Sequence, residues 1–133
     1  MAGAVDTGIA ASPDQAPAPD PSSARVWFLR ELVPGSAMHA PMVYANGGPL
    51  ALAAEGTAFY HDFAPGNYVF TVENCSPAPQ ASQMLPLSPG NQFALQVQSN
   101  DDAAWCGPMF DLTVPPAEIL GYLFSRVSYR GPR

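Results

Sequence analysis

The sequence predicts an all-β fold, a small antiparallel β-sandwich of about seven short strands, on three observations. Pro (16) and Gly (11) together make up about one residue in five of the 133, which punctuates the chain too densely for a helical bundle or a coiled coil. Between these breaks lie short runs rich in β-branched and aromatic residues, several of them alternating apolar and polar with the period of a strand. Nearly every run is separated from the next by a Gly, Pro or Asn turn signal, the spacing of a sandwich, with a five-stranded barrel as the alternative closure. The length allows one domain and a tail, with no fixed-period repeat.

Residues 1–24 read as the tail: small residues dominate, no aromatic occurs, and Ala16-Pro-Ala-Pro-Asp-Pro21 closes it. Such a stretch has too little apolar surface to offset the entropy of ordering, and its prolines favour an extended spacer. The domain spans residues 25–133. Arg25-Val-Trp-Phe-Leu-Arg30 is the first strand, ended by Val33-Pro34-Gly35. Pro41 to Ala45 and Pro49 to Ala53 flank Asn46-Gly47-Gly48, a hairpin signal because Asn and Gly tolerate positive φ. Thr57 to Phe63 places Phe59, His61 and Phe63 on one face and Ala58, Tyr60 and Asp62 on the other. The turn at Pro65-Gly66-Asn67 leads into Tyr68 to Asn74; positive φ is expected at Gly66 or Asn67, with Tyr68 turned inward beside Phe70 and Val72.

The next strand, Gln83 to Leu87, contains Pro86 and therefore suits a sheet edge. Gln92 to Gln98 alternates most cleanly, with Phe93, Leu95 and Val97 inward and glutamines outward. Met109 to Val114 forms a further strand before Pro115-Pro116. After it, Ala117 to Phe124 suits a short helix and Gly121 to Tyr129 a last strand, and periodicity does not choose between them.

Arg25-Val-Trp-Phe-Leu-Arg30, the Met42-to-Gly48 hairpin, the Pro65-Gly66-Asn67-Tyr68 turn and Ser88 to Val97 together resemble the small prealbumin-like or carboxypeptidase-regulatory-like β-sandwich domains, Ig-like in build, of bacterial envelope proteins. The resemblance covers a little over half of the chain. It implies the fold and a scaffold or adaptor role, and it supplies no catalytic residues.

Composition narrows the function classes further. The net charge is −6, and all five cations are Arg, which disfavours nucleic-acid binding through phosphate neutralisation. No apolar run approaches the roughly 20 residues of a membrane-spanning helix, so this chain is not expected to insert into a membrane. The N-terminal stretch lacks a basic region followed by an apolar run, so an export signal is not expected within it. Cys75 and Cys106 are the two cysteines; outside any CxxC or Cys/His cluster, they are expected to form a structural disulfide worth about 3–4 kcal/mol. With the acidic, lysine-free composition they favour a periplasmic or secreted protein.

No set of acid, base and nucleophile emerges, so no catalytic, cofactor-binding or metal-binding residues are assigned. His61 and Asp62 are adjacent on a strand and point apart, and His39, the other histidine, is distant in sequence. What stands out is apolar residues on both faces of the strands bearing Trp27 and Tyr60, together with Ile119, Leu120, Tyr122, Leu123 and Phe124 near the C-terminus. These seven are the candidate interaction residues, because an outer sheet face in a sandwich is ordinarily wet. The C-terminal segment must pack either on its own sandwich or on a partner, a protein or a second copy. The expected function is that of a non-catalytic accessory subunit binding another protein of an envelope or extracellular assembly; the alternative is a module for a glycan or peptide.

Overall fold

Trp27 and Phe28 are consecutive on the first strand, and a strand turns consecutive side chains to opposite faces, so this sequence requires an apolar environment on both sides of one sheet. The computed structural model, which describes residues 16–34, 39–74, 82–104 and 107–132, has both. Its strands are β1 (Ala24–Arg30), β2 (Met42–Ala45), β3 (Gly48–Leu52), β4 (Thr57–Phe63), β5 (Gly66–Val72), β6 (Ser82–Leu87), β7 (Gln92–Ala104), β8 (Gly107–Thr113) and β9 (Ser128–Pro132). A 3₁₀ turn at Ala117–Ile119 and one helix, α1 (Leu120–Ser125), lie between β8 and β9. The strands form a five-stranded sheet in the order β8-β7-β1-β4-β9 and a four-stranded sheet in the order β3-β2-β5-β6. The chain is thus an all-β sandwich with one short helix near its C-terminus.

Between the two sheets lies the main core. Phe28 stacks on Phe59, its cross-strand partner, at 5.0 Å and meets Phe70 of the facing sheet edge-on at 5.5 Å. Val26, Leu95, Val97, Phe110 and Leu112 join from the five-stranded sheet, and Val43, Val72, Leu85 and Leu87 from the other. Two turns supply the tight reversals. Asn46 and Gly47 both take positive φ, 48° and 82°, as the two-residue hairpin requires. Gly66 has φ of 152°, and Tyr68 lies against Phe63 at 4.8 Å while its hydroxyl donates to the Ala64 carbonyl.

Two features differ from the sequence expectation, and one choice that it left open is settled. The five-stranded sheet is mixed, because β1 pairs parallel with β7 and β4 parallel with β9; both pairs are far apart in sequence, so no hairpin forces them antiparallel. The ambiguous C-terminal stretch is helix first and strand second, with the helix over Leu120–Ser125 and the strand beginning at Ser128. Residues 16–23, expected to belong to a free tail, lie on the domain: Ala16 packs against the second apolar cluster, and Arg25 donates to the Pro17 carbonyl.

Candidate interaction surfaces

The outer face of the five-stranded sheet carries Arg25, Trp27 and Leu29 from β1 and Ala58, Tyr60 and Asp62 from β4, alternate residues paired across the strands. Arg25 is 3% exposed. Its Nε and one terminal nitrogen donate to the two Asp62 oxygens at 2.7 and 2.9 Å, and its guanidinium lies 3.7 Å from the centre of the Tyr60 ring. Burial alone would weaken this cation; the hydrogen bond and charge of Asp62, with Tyr60 and Tyr129 adding, outweigh it and hold the pKa above the ordinary arginine value. Beside this pair Trp27, Leu29, Ala58 and Tyr60 form one cluster with Tyr129, their neighbour on β9, and with Leu123 and Val127 of the segment packed on this face.

That closure resolves the choice left open by the sequence. Trp27, Tyr60 and Leu123 are buried within the chain's own second core, and Phe124 is half-buried with its ring 5.4 Å from Trp27. Leu120 is half-buried, while Ile119 and Tyr122 remain exposed. The expected interaction residues are therefore mostly spent on intramolecular packing. The reason is the amphipathic α1, which turns its one fully buried residue, Leu123, onto the sheet and leaves Tyr122 outward to accept a hydrogen bond from Arg126. A carbohydrate platform built on Trp27 is also disfavoured, since the residue is only 8% exposed and offers no open ring face.

A groove runs along this covered face between residues 16–19 and α1. Ala16, Pro17, Ala18 and Pro19 form one wall, Trp27, Gly121, Phe124 and Ser125 the other, with Arg25 and Gln92 completing it around about 580 Å³ of open volume.

The four-stranded sheet has a different character. Its strands, MVYA, GPLAL, GNYVFTV and SQMLPL, contain no charged residue and no histidine. Alternation turns Val43, Phe70, Val72, Leu85 and Leu87 into the core, and so presents Met42, Tyr44, Leu52, Val69 and Met84 on the opposite face. Met42 pairs with Leu52 on one side of this face and Val69 with Met84 on the other, and Tyr44, Thr71 and Ser82 form the uncharged row between them. Met84 is 71% exposed and Leu52 56%. Glu73, just past β5, borders this surface and accepts the Met42 N–H at 2.8 Å.

The remaining candidates are not assembled into a reactive centre. Asp62 is engaged by Arg25 on the outer face while His61 is on the other, its ring 4.6 Å from Phe63. His39 is 3.7 Å from Glu73 and packs on Phe110. Among the described residues no group of three or more His, Cys, Asp or Glu is placed to hold a metal ion, and none of the helices among them is long and apolar enough to cross a membrane. Cys75 and Cys106 lie outside the described residues. Asn74, adjoining Cys75 in sequence, ties the end of β5 to β8 by accepting from the Phe110 N–H at 2.6 Å and donating to its carbonyl at 3.1 Å. No protein-family model matches this chain, and no curated protein is significantly similar to it.

Proposed function

We propose that the protein is a non-catalytic, exported accessory module that docks another protein through the outer face of its four-stranded sheet. The observation that carries this reading is a solvent-facing sheet surface with Met84 and Leu52 more than half exposed and no charge in any of its four strands. Outer sheet faces in water ordinarily carry charge, and an uncharged one with exposed apolar side chains at both of its edges is a candidate place for another surface. Methionine adds to this, because its flexible thioether adapts to an irregular partner. The buried state of Arg25 and Arg30, and the pairing of Arg126 with Glu31 at 3.4 Å, take three of the five arginines out of service as anion contacts. That supports a protein partner over nucleic acid.

Export, a Cys75–Cys106 bridge and membership among prealbumin-like envelope domains are parts of the same proposal. The lysine-free acidic composition supports export, and the Asn74–Phe110 contact supports the bridge by bringing together the strands next to which the two cysteines lie. The test is a photo-crosslinking residue placed at position 84 in the producing cells. A discrete adduct that disappears when Leu52→Lys is added, and that a probe at position 118 does not form, is expected. No adduct from position 84, or the same adducts from position 118, would remove the reading.

A further inference from the structure

We propose that the groove between α1 and residues 16–19 is a receptor for an extended, proline-containing peptide, and that Ala16–Pro19 is its resident ligand, replaceable by an Ala-Pro segment of a partner. This is a second surface, on the opposite sheet from the one discussed above, and it does not depend on that reading.

The occupant's chemistry is visible in the groove. Proline has no N–H, so an Ala-Pro segment can offer a partner only the N–H groups of its alanines, and its prolines must be held by their carbonyls and rings. Arg25 provides for the carbonyl. Two of its nitrogens are committed to Asp62 and its plane is fixed against Tyr60, so the donor that reaches the Pro17 carbonyl is locked in direction. Half-buried Phe124 provides most of the aromatic wall, with Trp27, set edge to face with it, adding its small accessible part, the kind of surface on which proline-rich segments are commonly recognised. The resident segment fits this wall incompletely: Pro17 and Ala18 are exposed, and about 580 Å³ stays open beside it, within the range of binding sites for small ligands and short peptides. Among the described residues the segment is held chiefly by the Arg25 donor, Ala16 and half-buried Pro19, an anchorage that a segment filling the groove can displace.

Gly121 makes the inference testable without damaging the fold. It lines the groove on α1, and a Cβ built there meets nothing within 4 Å, so Gly121→Leu occupies the open volume while favouring the helix. The full chain is titrated by calorimetry and amide NMR with a synthetic, end-capped Ala-Pro-Ala-Pro-Asp-Pro peptide, the sequence of residues 16–21. Weak binding is expected, with shifts centred on Trp27, Gln92 and α1. Ala16→Glu, which disfavours the resident segment, should raise the affinity at least fivefold, because the apparent constant is reduced by the fraction of sites already filled. Gly121→Leu should lower it at least tenfold without lowering the melting temperature. Absence of binding to the Ala16→Glu chain, indifference to both substitutions, or equal binding of a peptide with every proline replaced by alanine would each overturn the proposal.

Discussion

Leu123→Ala tests the second core at its centre. Leu123 is 2% exposed and is the one fully buried residue of α1, and it closes over Trp27, Leu29, Ala58 and Tyr60. Removing three methylene-sized groups from such a site costs about 2–5 kcal/mol, the lower end applying where the surroundings can collapse. A six-residue helix with Pro116 just before its lead-in turn can shift more readily than a sheet, so about 2–3 kcal/mol is expected. For a domain of this size that lowers the melting temperature by roughly 10 °C. Thermal unfolding followed by circular dichroism reads it, with Ile119→Ala as the comparison. Ile119 is 40% exposed, and its truncation should cost less than about 1 kcal/mol. Removal of residues 117–133 is the severe form of the same perturbation. It strips three buried side chains, Leu123, Val127 and Tyr129, each worth roughly 1.5–3 kcal/mol, against a total stability of about 5–15 kcal/mol. The shortened chain should then lack a cooperative transition. A well-folded shortened chain, or a Leu123→Ala variant melting with Ile119→Ala, would show that the C-terminal segment is not part of the fold's core.

Asp62→Ala should destabilise by about 2–3 kcal/mol in denaturant titration, because Arg25 is left buried without its carboxylate; the full cost of about 3–5 kcal/mol for a broken buried pair is reduced here by water reaching a site whose carboxylate is one-third exposed. Gly66→Val should cost 1 kcal/mol or more, on the order expected for a β-branched residue forced to a φ of 152°, and an unchanged melt would show that the turn relaxes. Denatured, unreduced protein should present no reactive thiol, and reduction should lower stability by about 3–4 kcal/mol; two titratable thiols would end the Cys75–Cys106 proposal.

How far these features were legible in the sequence depends on how local their causes are. The Asn46-Gly47 hairpin, the inward set Tyr68, Phe70 and Val72, and the two-faced β1 follow from turn chemistry and period-two alternation, which act over a few residues. The parallel pairing of Arg25 with Gln92 and of Thr57 with Ser128 depends on contacts closed across long loops, for which alternation carries no register. Arg25 beside Trp27 gave no hint that its third donor would hold Pro17 and draw part of the tail onto the sheet. The face around Met84 was missed for another reason. Met42, Tyr44 and Val69 have the composition of core residues, and without knowing which neighbours are inward they read as such. The signal that was available is the lack of any charge from Met42 to Leu52 and from Gly66 to Val72, two stretches that pack into a single sheet. A sandwich sheet meant for water on one side would carry some.

The prolines bear on how such a molecule can associate. The four edge strands are β8 and β9 of one sheet and β3 and β6 of the other, and each contains a proline: Pro108, Pro132, Pro49 and Pro86. The five interior strands contain none. An edge proline removes a donor from the ladder that an incoming strand would extend, and edges are where sheets otherwise recruit strands from other chains. With a proline in every edge strand, and with α1 packed on the outer face of the five-stranded sheet, the broadest surface without a covering element is the outer face of the four-stranded sheet. On the docking reading proposed above, contact there would be made by side chains and not by backbone hydrogen bonds. Its strength should therefore fall with a single charge at Met84 or Leu52, whereas changes confined to the edge strands' outward backbone should leave it intact.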